Sequence, residues 1–119
     1  MKIKLLLLIV LVCGMLILMP GMVFAASHGG GGIVLNWTNN ALNATSLTIQ
    51  RSTTSAFTTF VTFTPASATA TTYTDTTGTI GQLYYYRVIA SNTVGSTVVA
   101  GYPTITANSN PSNTVNIVR

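Results

Sequence analysis

Side chains that carry acid–base or metal chemistry are almost absent from this sequence. Its 119 residues include one acidic residue, one histidine and one cysteine, which are Asp75, His28 and Cys13. A general acid needs a partner base, a nucleophile needs an activating group, and a metal ion needs several ligands. We therefore expect no enzymatic activity and no cofactor.

The few lysines lie in an N-terminal targeting pattern. Lys2 and Lys4 precede an apolar run over residues 5–19, and Pro20-Gly21 then break it. Val23-Phe24-Ala25 follows, with small residues at the first and third positions, as a signal-peptidase site requires. The pattern predicts a signal peptide over residues 1–25 and a secreted or cell-surface protein. The alternative is an uncleaved anchor, since apolar character continues to Ala26, and membrane attachment is expected only in that case.

Cleavage after Ala25 would change the charge and remove the thiol. The formal charge would fall from +4 to +2 (3 − 1), because Arg51, Arg87 and Arg119 would remain against Asp75. Three scattered arginines do not form the basic patch that nucleic acids require. Cys13 would leave with the signal, so the mature domain would hold together by packing alone.

The mature sequence begins with a polar, glycine-rich stretch and continues with alternating apolar residues. Residues 26–32 include four consecutive glycines and predict a flexible linker. From Ile33 onward, apolar residues recur at every second position in several short runs separated by turn-forming residues. The sets with this alternation are Ile33, Leu35 and Trp37; Leu47 and Ile49; Tyr84, Tyr86, Val88 and Ala90; and Val115 and Ile117. Short strands at this spacing predict an all-β sandwich or small barrel.

Three motifs make the sequence similar to a fibronectin type III domain. Leu35-Asn36-Trp37-Thr38 resembles its second strand, and 73–95, with the run Tyr84-Tyr85-Tyr86, resembles its fifth and sixth strands. Residues 111–117 resemble the closing strand. The resemblance implies an immunoglobulin-like antiparallel β-sandwich over residues 33–119. It also implies a core containing Trp37, Tyr84 and Tyr86, with Tyr84 as the tyrosine-corner residue.

Little sequence before Ile33 is suited to a first strand, so we expect that strand to be short or missing. A sheet that lacks its outer strand exposes unpaired backbone groups, and such edges recruit other strands. Self-association through this edge, as in donor-strand assembly, is one expected mode of partner binding.

The outward side of the sixth strand is the first candidate binding surface. If Tyr84 and Tyr86 point inward, then Tyr85, Arg87 and Ile89 share the outer face, and this combination is typical of interface anchors. The alternative is a cross-strand cluster that covers the sheet, with the arginine stem over the tyrosine ring. A second candidate is the long segment 96–110, which contains Tyr102. It would either form a recognition loop or extend the neighbouring strands.

Two single residues suggest specific roles. Cleavage after Ala25 would leave Ala26-Ser27-His28 at the N-terminus, where the amine, two amides and the imidazole could hold Cu(II) or Ni(II) in a square plane. The alternative is a histidine in a disordered tail. Asp75 is expected to end the fifth strand by accepting hydrogen bonds from turn amides.

The sequence predicts a non-catalytic extracellular binding or adhesion module whose partners are proteins or glycans. The alternative is a structural subunit that assembles into an extracellular fibre by edge-strand addition.

Overall fold

The computed structural model describes residues 24–95 and 103–119, which form strands joined by turns and loops. In chain order the strands are β1 (Phe24–Gly29), β2 (Gly32–Trp37), β3 (Ser46–Ser52), β4 (Val61–Phe63), β5 (Thr72–Asp75), β6 (Leu83–Val94), β7 (Ile105–Asn108) and β8 (Val115–Val118). Within these residues no helix is long and apolar enough to cross a bilayer.

The strands form two antiparallel sheets that pack face to face. One sheet has the order β1-β2-β5, and the other has the order β4-β3-β6-β7, with β8 paired to the opposite end of β6. Apolar side chains from both sheets fill the space between them, as in other sandwiches. The buried residues of this core are Phe24, Ile33, Leu35, Trp37, Leu47, Ile49, Tyr84, Tyr86, Val88 and Ala90. The predicted β-sandwich is confirmed.

Period-two alternation decides which residues enter this core. In the long central strand β6, Tyr84, Tyr86, Val88 and Ala90 are buried, whereas the residues between them are partly exposed. The register pairs Val88 with Ile49 and Ala90 with Leu47, so inward residues of β3 and β6 lie side by side. A register shift by one residue would turn every one of these side chains toward solvent, which is why the pattern specifies the pairing.

The position of β1 changes two expectations, a flexible linker over residues 26–32 and a first strand that is short or missing. Residues 24–29 pair with β2 from Phe24↔Trp37 to Gly29↔Gly32, so the first strand is present and six residues long. The glycines form its hairpin, because Gly30 and Gly31 take φ values of 57° and 77°. A two-residue hairpin turn with positive φ at both positions favours glycine, so this glycine run is a turn and not a flexible tail.

Side chains also close the side of the sandwich where β1 lies next to β8. The His28 ring contacts the Val118 carbonyl through Nε2 at 2.7 Å, and Arg119 Nη2 donates to the Gly31 carbonyl at 2.9 Å. Near the other end, Asn113 Nδ2 donates to the Phe24 carbonyl at 3.4 Å. The exposed edge expected from a missing first strand is therefore filled by β1 and bridged to the opposite sheet.

Two serines in the connection between β7 and β8 form hydrogen bonds with the backbone of β6. Ser109 Oγ accepts from Ala90 N at 3.1 Å, and Ser112 Oγ accepts from Val88 N at 2.9 Å. The same residues donate their backbone N–H groups to the Ala90 and Val88 carbonyls, both at 2.8 Å. Pro111, which has no N–H to pair, lies between these two serines, and the backbone of Val88 and Ala90 at the centre of β6 keeps its hydrogen bonds.

Most of the predicted signal peptide, residues 1–23, lies outside the described residues. Phe24 and Ala25, its last two positions, belong to β1. Phe24 is 4% exposed, and its ring centroid lies 6.1 Å from that of Trp37. Cleavage after Ala25 would therefore remove a core residue.

Candidate binding site

The outward side of β6 brings the predicted binding residues together. Tyr85, Arg87 and Ile89 are partly exposed at alternate positions of the strand. Across the ladder they face Ser52, Gln50 and Thr48 of β3, respectively. The three predicted residues thus share one face of the five-stranded sheet, at its centre.

The Arg87 side chain contacts the neighbouring strand and a loop, as the alternative interpretation of a cross-strand cluster describes. Its Nε donates to Gln50 Oε1 at 2.7 Å, and its guanidinium carbon lies 4.1 Å from the ring centroid of Phe57. Phe57 belongs to the β3–β4 loop, which folds back over the outer face. A cation against an aromatic face is attractive, so loop and sheet hold each other in place.

Phe57 has an unusual backbone conformation that supports this position. It is 5% exposed and has a φ of 51°, which costs on the order of 1 kcal/mol for a residue with a bulky side chain. Its N–H donates to the Thr54 carbonyl at 3.3 Å, which closes the turn. Burial of the ring against Arg87 offsets this cost.

Apolar residues extend the row along β6 toward the end of the sheet. Leu83 is 36% exposed, and its partner across the ladder, Val118, is 48% exposed. With Tyr85 and Ile89 they form an apolar row that contains one fixed cation, Arg87. We call these five residues the outer-face row.

Tyr102 and the first seven residues of the second candidate segment, residues 96–102, lie outside the described residues. The parts on either side belong to strands, since β6 continues to Val94 and pairs with Ile105 of β7. This pairing fits the second interpretation of the segment, in which it extends the neighbouring strands.

The proposed copper ligands Ala26, Ser27 and His28 are in β1 and not in a tail. They pair with Leu35, Val34 and Ile33, and the imidazole contacts the Val118 carbonyl. Chelation would require consecutive amides to bend around one ion, which an extended, paired strand does not permit. The uncleaved chain therefore has no such site, and the site of a chain cleaved after Ala25, with a free amine at Ala26, stays a prediction. More generally, the described residues contain no group of three His, Cys, Asp or Glu side chains that could hold a metal ion.

The three predicted core residues are buried together between the sheets. Trp37, Tyr84 and Tyr86 are 5%, 6% and 0% exposed. Tyr84 Oη accepts a hydrogen bond from Thr79 N at 2.8 Å, five residues upstream, which is the geometry of a tyrosine corner. Gly78 packs against the same ring, where an added Cβ would come within 2.8 Å of Tyr84 Cε2.

Asp75 is the centre of a buried network that joins the two sheets. Thr77 donates to Asp75 Oδ1 from its backbone N at 2.8 Å and from its hydroxyl at 2.7 Å, so the predicted turn contacts are present. Tyr86 Oη donates to Oδ2 at 2.8 Å, and Arg51 Nη1 donates to it at 2.7 Å. Asp75 itself is 0% exposed. The only carboxylate side chain of the protein is therefore saturated with donors and has a structural role.

The network shifts the pKa values of its members. Burial by itself raises the pKa of Asp75, but hydrogen bonds from Thr77, Tyr86 and Arg51 outweigh it, so the pKa lies below its usual value. Burial and the hydrogen bond to Asp75 raise the pKa of Tyr86. Burial alone lowers the pKa of Arg51, yet its bond to Asp75 leaves that pKa raised. The charged Asp75–Arg51 pair and the neutral Tyr86 stabilise one another.

Sequence reasoning missed Arg51 although a signal was present. Arg51 continues the inward parity of Leu47 and Ile49, and an arginine in that position requires an acidic partner, for which Asp75 was the only candidate. Phe57 and Phe24 had no comparable signal, because a loop and a predicted signal peptide surround them.

Comparison with known proteins gives structural matches only. No protein family matches the sequence, and no curated protein matches it. Two crystal structures of pectate lyase Pel3 from Pectobacterium carotovorum superpose with TM-scores of 0.54 and 0.52, at 19% and 20% identity. They cover 76% and 72% of this chain, which itself spans only 26% and 24% of the lyase chains.

A third solved structure, an Fn3-like protein from Clostridium thermocellum, is 32% identical. The match covers 76% of this chain and 82% of that one, with a TM-score of 0.48. In the present structure, β1, β2 and β5 face a sheet centred on β3 and β6, which is the strand arrangement of immunoglobulin-like sandwiches. The described chain is an all-β, immunoglobulin-like sandwich that fits a fibronectin type III-like domain.

Proposed function

We propose that this chain is a secreted or cell-surface fibronectin type III-like domain that acts as a non-catalytic binding module. Its partner, a protein or a glycan, binds the outer-face row. The observation that supports this most strongly is the position of Tyr85, Arg87 and Ile89, partly exposed at alternate positions of β6 at the centre of the larger sheet.

Rigidity makes this face suited to recognition. The Arg87 guanidinium is fixed by Gln50 and by the Phe57 ring, and β6 is hydrogen-bonded on both sides. Groups that are ordered before binding lose little entropy when a partner arrives. Aromatic and arginine side chains in such positions contribute most of the affinity in many interfaces.

Binding to an array of extracellular matrix proteins and glycans tests this function. A partner that binds the native protein should lose affinity on Tyr85→Ala and on Ile89→Ser, because both changes remove apolar contact area without touching the core. The matched control is Leu42→Ala, which alters an 87% exposed leucine in the β2–β3 loop. A partner whose affinity is equal for all of these variants would contradict the outer-face row as the binding surface.

The same properties support the absence of catalysis. Asp75 is buried and consumed by four donated hydrogen bonds, and His28 is held by a backbone carbonyl. The titratable neighbours of Asp75, Arg51 and Tyr86, hold it as a buried ion pair, and the described residues place no carboxylate in hydrogen-bond contact with His28, so the proposed module works through surface contact alone.

A further inference from the structure

A depression at one end of the sandwich has a different composition from the outer-face row. It has a volume of about 290 Å³ and is lined by Arg51, Ser52, Thr53, Thr59, Phe60, Val61 and Tyr84. Phe60 and Val61 are 46% and 49% exposed at its rim. The lining therefore combines hydroxyl groups, exposed apolar surface and one cation.

The cation is held in a fixed position. The Arg51 guanidinium carbon lies 4.6 Å from the ring centroid of Tyr84 and 5.3 Å from that of Phe63. Its Nη1 atom donates to Asp75 and to Thr77, at 2.7 and 3.0 Å. Two rings and two hydrogen bonds leave the guanidinium little freedom to turn.

One edge of that guanidinium makes no hydrogen bond within the part of the chain that the structure describes. The hydrogen bonds of Arg51 to the described residues all leave from Nη1, while Nε and Nη2 donate to none of those residues. The Nε and Nη2 pair forms a planar fork that matches the two oxygens of a carboxylate. Its side chain is 11% exposed, and Arg51 is one of the residues that line the depression.

The surroundings favour a sugar as the carrier of this carboxylate. Thr53 and Thr59 supply hydroxyl groups that both donate and accept, which complements sugar hydroxyls. The exposed Phe60 ring offers an apolar face on which a sugar ring can lie. In addition, the single acidic side chain of the sequence is the buried Asp75. A polyanion at the surface is therefore not repelled by any exposed carboxylate side chain.

We propose that this depression is a second binding site, which takes a uronic acid residue of an acidic glycan. The carboxylate pairs with the Nε–Nη2 edge of Arg51, and the sugar ring lies against Phe60 between Thr53 and Thr59. This site shares no residue with the outer-face row, so it stands or fails separately from the function proposed above.

Titration calorimetry of the purified protein with a tetrasaccharide of uronic acid units tests the site. We expect binding that weakens at least about tenfold when the sugar carboxylates are reduced to alcohols, and at least about tenfold in Phe60→Ala. Leu42→Ala is the matched control for an exposed apolar residue and should bind like the native protein. Tyr85→Ala should also bind normally, because that residue lies outside the depression.

Arg51→Lys tests the fork without removing the charge that Asp75 needs. Lysine can still pair with Asp75 but cannot present a planar pair of donors, so the affinity for the tetrasaccharide should fall. The melting temperature of the variant shows whether it is still folded. The NMR signal of the Arg51 Nε–H group should shift on titration of the native protein, which gives a readout independent of any variant.

Four results would overturn the site. The first is no binding of the tetrasaccharide, and the second is equal binding of its reduced form. The third is an Arg51 Nε–H signal that does not move at saturation. The fourth is a Tyr85→Ala variant that loses binding while the Phe60→Ala variant binds like the native protein. Tighter binding of a polyglutamate peptide than of the sugar would also overturn it, in favour of an acidic protein partner.

Discussion

At the scale of single residues, Asp75 connects the two sheets. It is fully buried, accepts four hydrogen bonds and joins β5 to β3 and β6 through Arg51 and Tyr86. Removal of one member of a buried ion pair leaves the other charged and unpaired, which is far more costly than the pair is favourable. The network therefore fixes how the two sheets pack as much as it adds stability.

The folded-state pKa of Asp75 lies below the ordinary value of 3.8, which predicts loss of stability in acid. Because the unfolded chain binds a proton at higher pH than the folded one, the contribution is full above pH 3.8 and disappears as the pH falls through the folded-state pKa. Urea denaturation between pH 2 and 7 measures this dependence.

Asp75→Asn provides the control for acid denaturation. It should remove most of the pH dependence and lower the free energy of unfolding by about 3–5 kcal/mol, because Arg51 then lacks its counter-charge. An acid transition unchanged in Asp75→Asn would show that no carboxylate side chain causes it, since the sequence has no other.

Tyr86 should resist ionisation in alkali. Its pKa is raised by burial and by its hydrogen bond to Asp75, so its neutral form is bound more strongly in the folded state. The stability that it contributes is present below the ordinary tyrosine pKa of 10.0 and is lost as the pH rises through the higher folded-state pKa.

Spectrophotometric titration of the five tyrosines measures this effect. One phenol should ionise only with alkaline unfolding, and Tyr86→Phe should remove that late component. Tyr85→Phe, which changes a partly exposed neighbour, should leave it in place.

At the scale of structural elements, β1 has the largest unexpected role. It supplies Phe24 to the core, pairs along the whole of β2, and contacts β8 at one end and Asn113, just before β8, at the other. Most of its residues are small or polar, so local sequence preference does not explain the strand. The strand is explained by burial of the Phe24 ring and by the Gly30-Gly31 turn, whose positive φ values suit a tight hairpin.

Phe24→Ala should lower the free energy of unfolding by about 3–5 kcal/mol, the usual cost of truncating a buried phenylalanine. Urea denaturation followed by Trp37 fluorescence measures it, since the two rings are in contact. Acrylamide should also quench the Trp37 emission more strongly in the variant. Ala25→Ser, at an exposed position of the same strand, should change neither quantity; equal effects of the two substitutions would contradict a core role for Phe24.

At the scale of the whole molecule, closure of the β1–β8 side predicts the state of association. With β1 in place the sheet edge at β2 is covered, and we expect a protein beginning at Phe24 to elute as a monomer in size-exclusion chromatography. A protein beginning at Gly32 exposes the backbone of β2 and should form dimers or larger species that increase with concentration. Equal elution volumes per chain for the two proteins would contradict this role of β1.

Much of the architecture could be predicted from alternation alone. Inward positions of β2, β3, β6 and β8 follow from runs of apolar residues at every second position, because each strand has one face in the core. Alternation also predicts the shared face of Tyr85, Arg87 and Ile89, whereas the core roles of Trp37, Tyr84 and Tyr86 follow from the resemblance to a fibronectin type III domain. β1 was missed because a pattern of small residues and glycines is typical of linkers and cleavage sites as well.

The sequence by itself determined the chemistry that this protein can perform and the layers in which it folds. Its one acidic side chain, one histidine and one cysteine limit catalysis and metal binding, and its alternating runs indicate an all-β sandwich or small barrel around an apolar interior. Only the tertiary structure decided what the isolated charges and rings do. Arg51 meets Asp75 across the sheets, Phe57 folds over Arg87, and Phe24 packs on Trp37, because such contacts join residues far apart in the chain and leave no periodic trace in it.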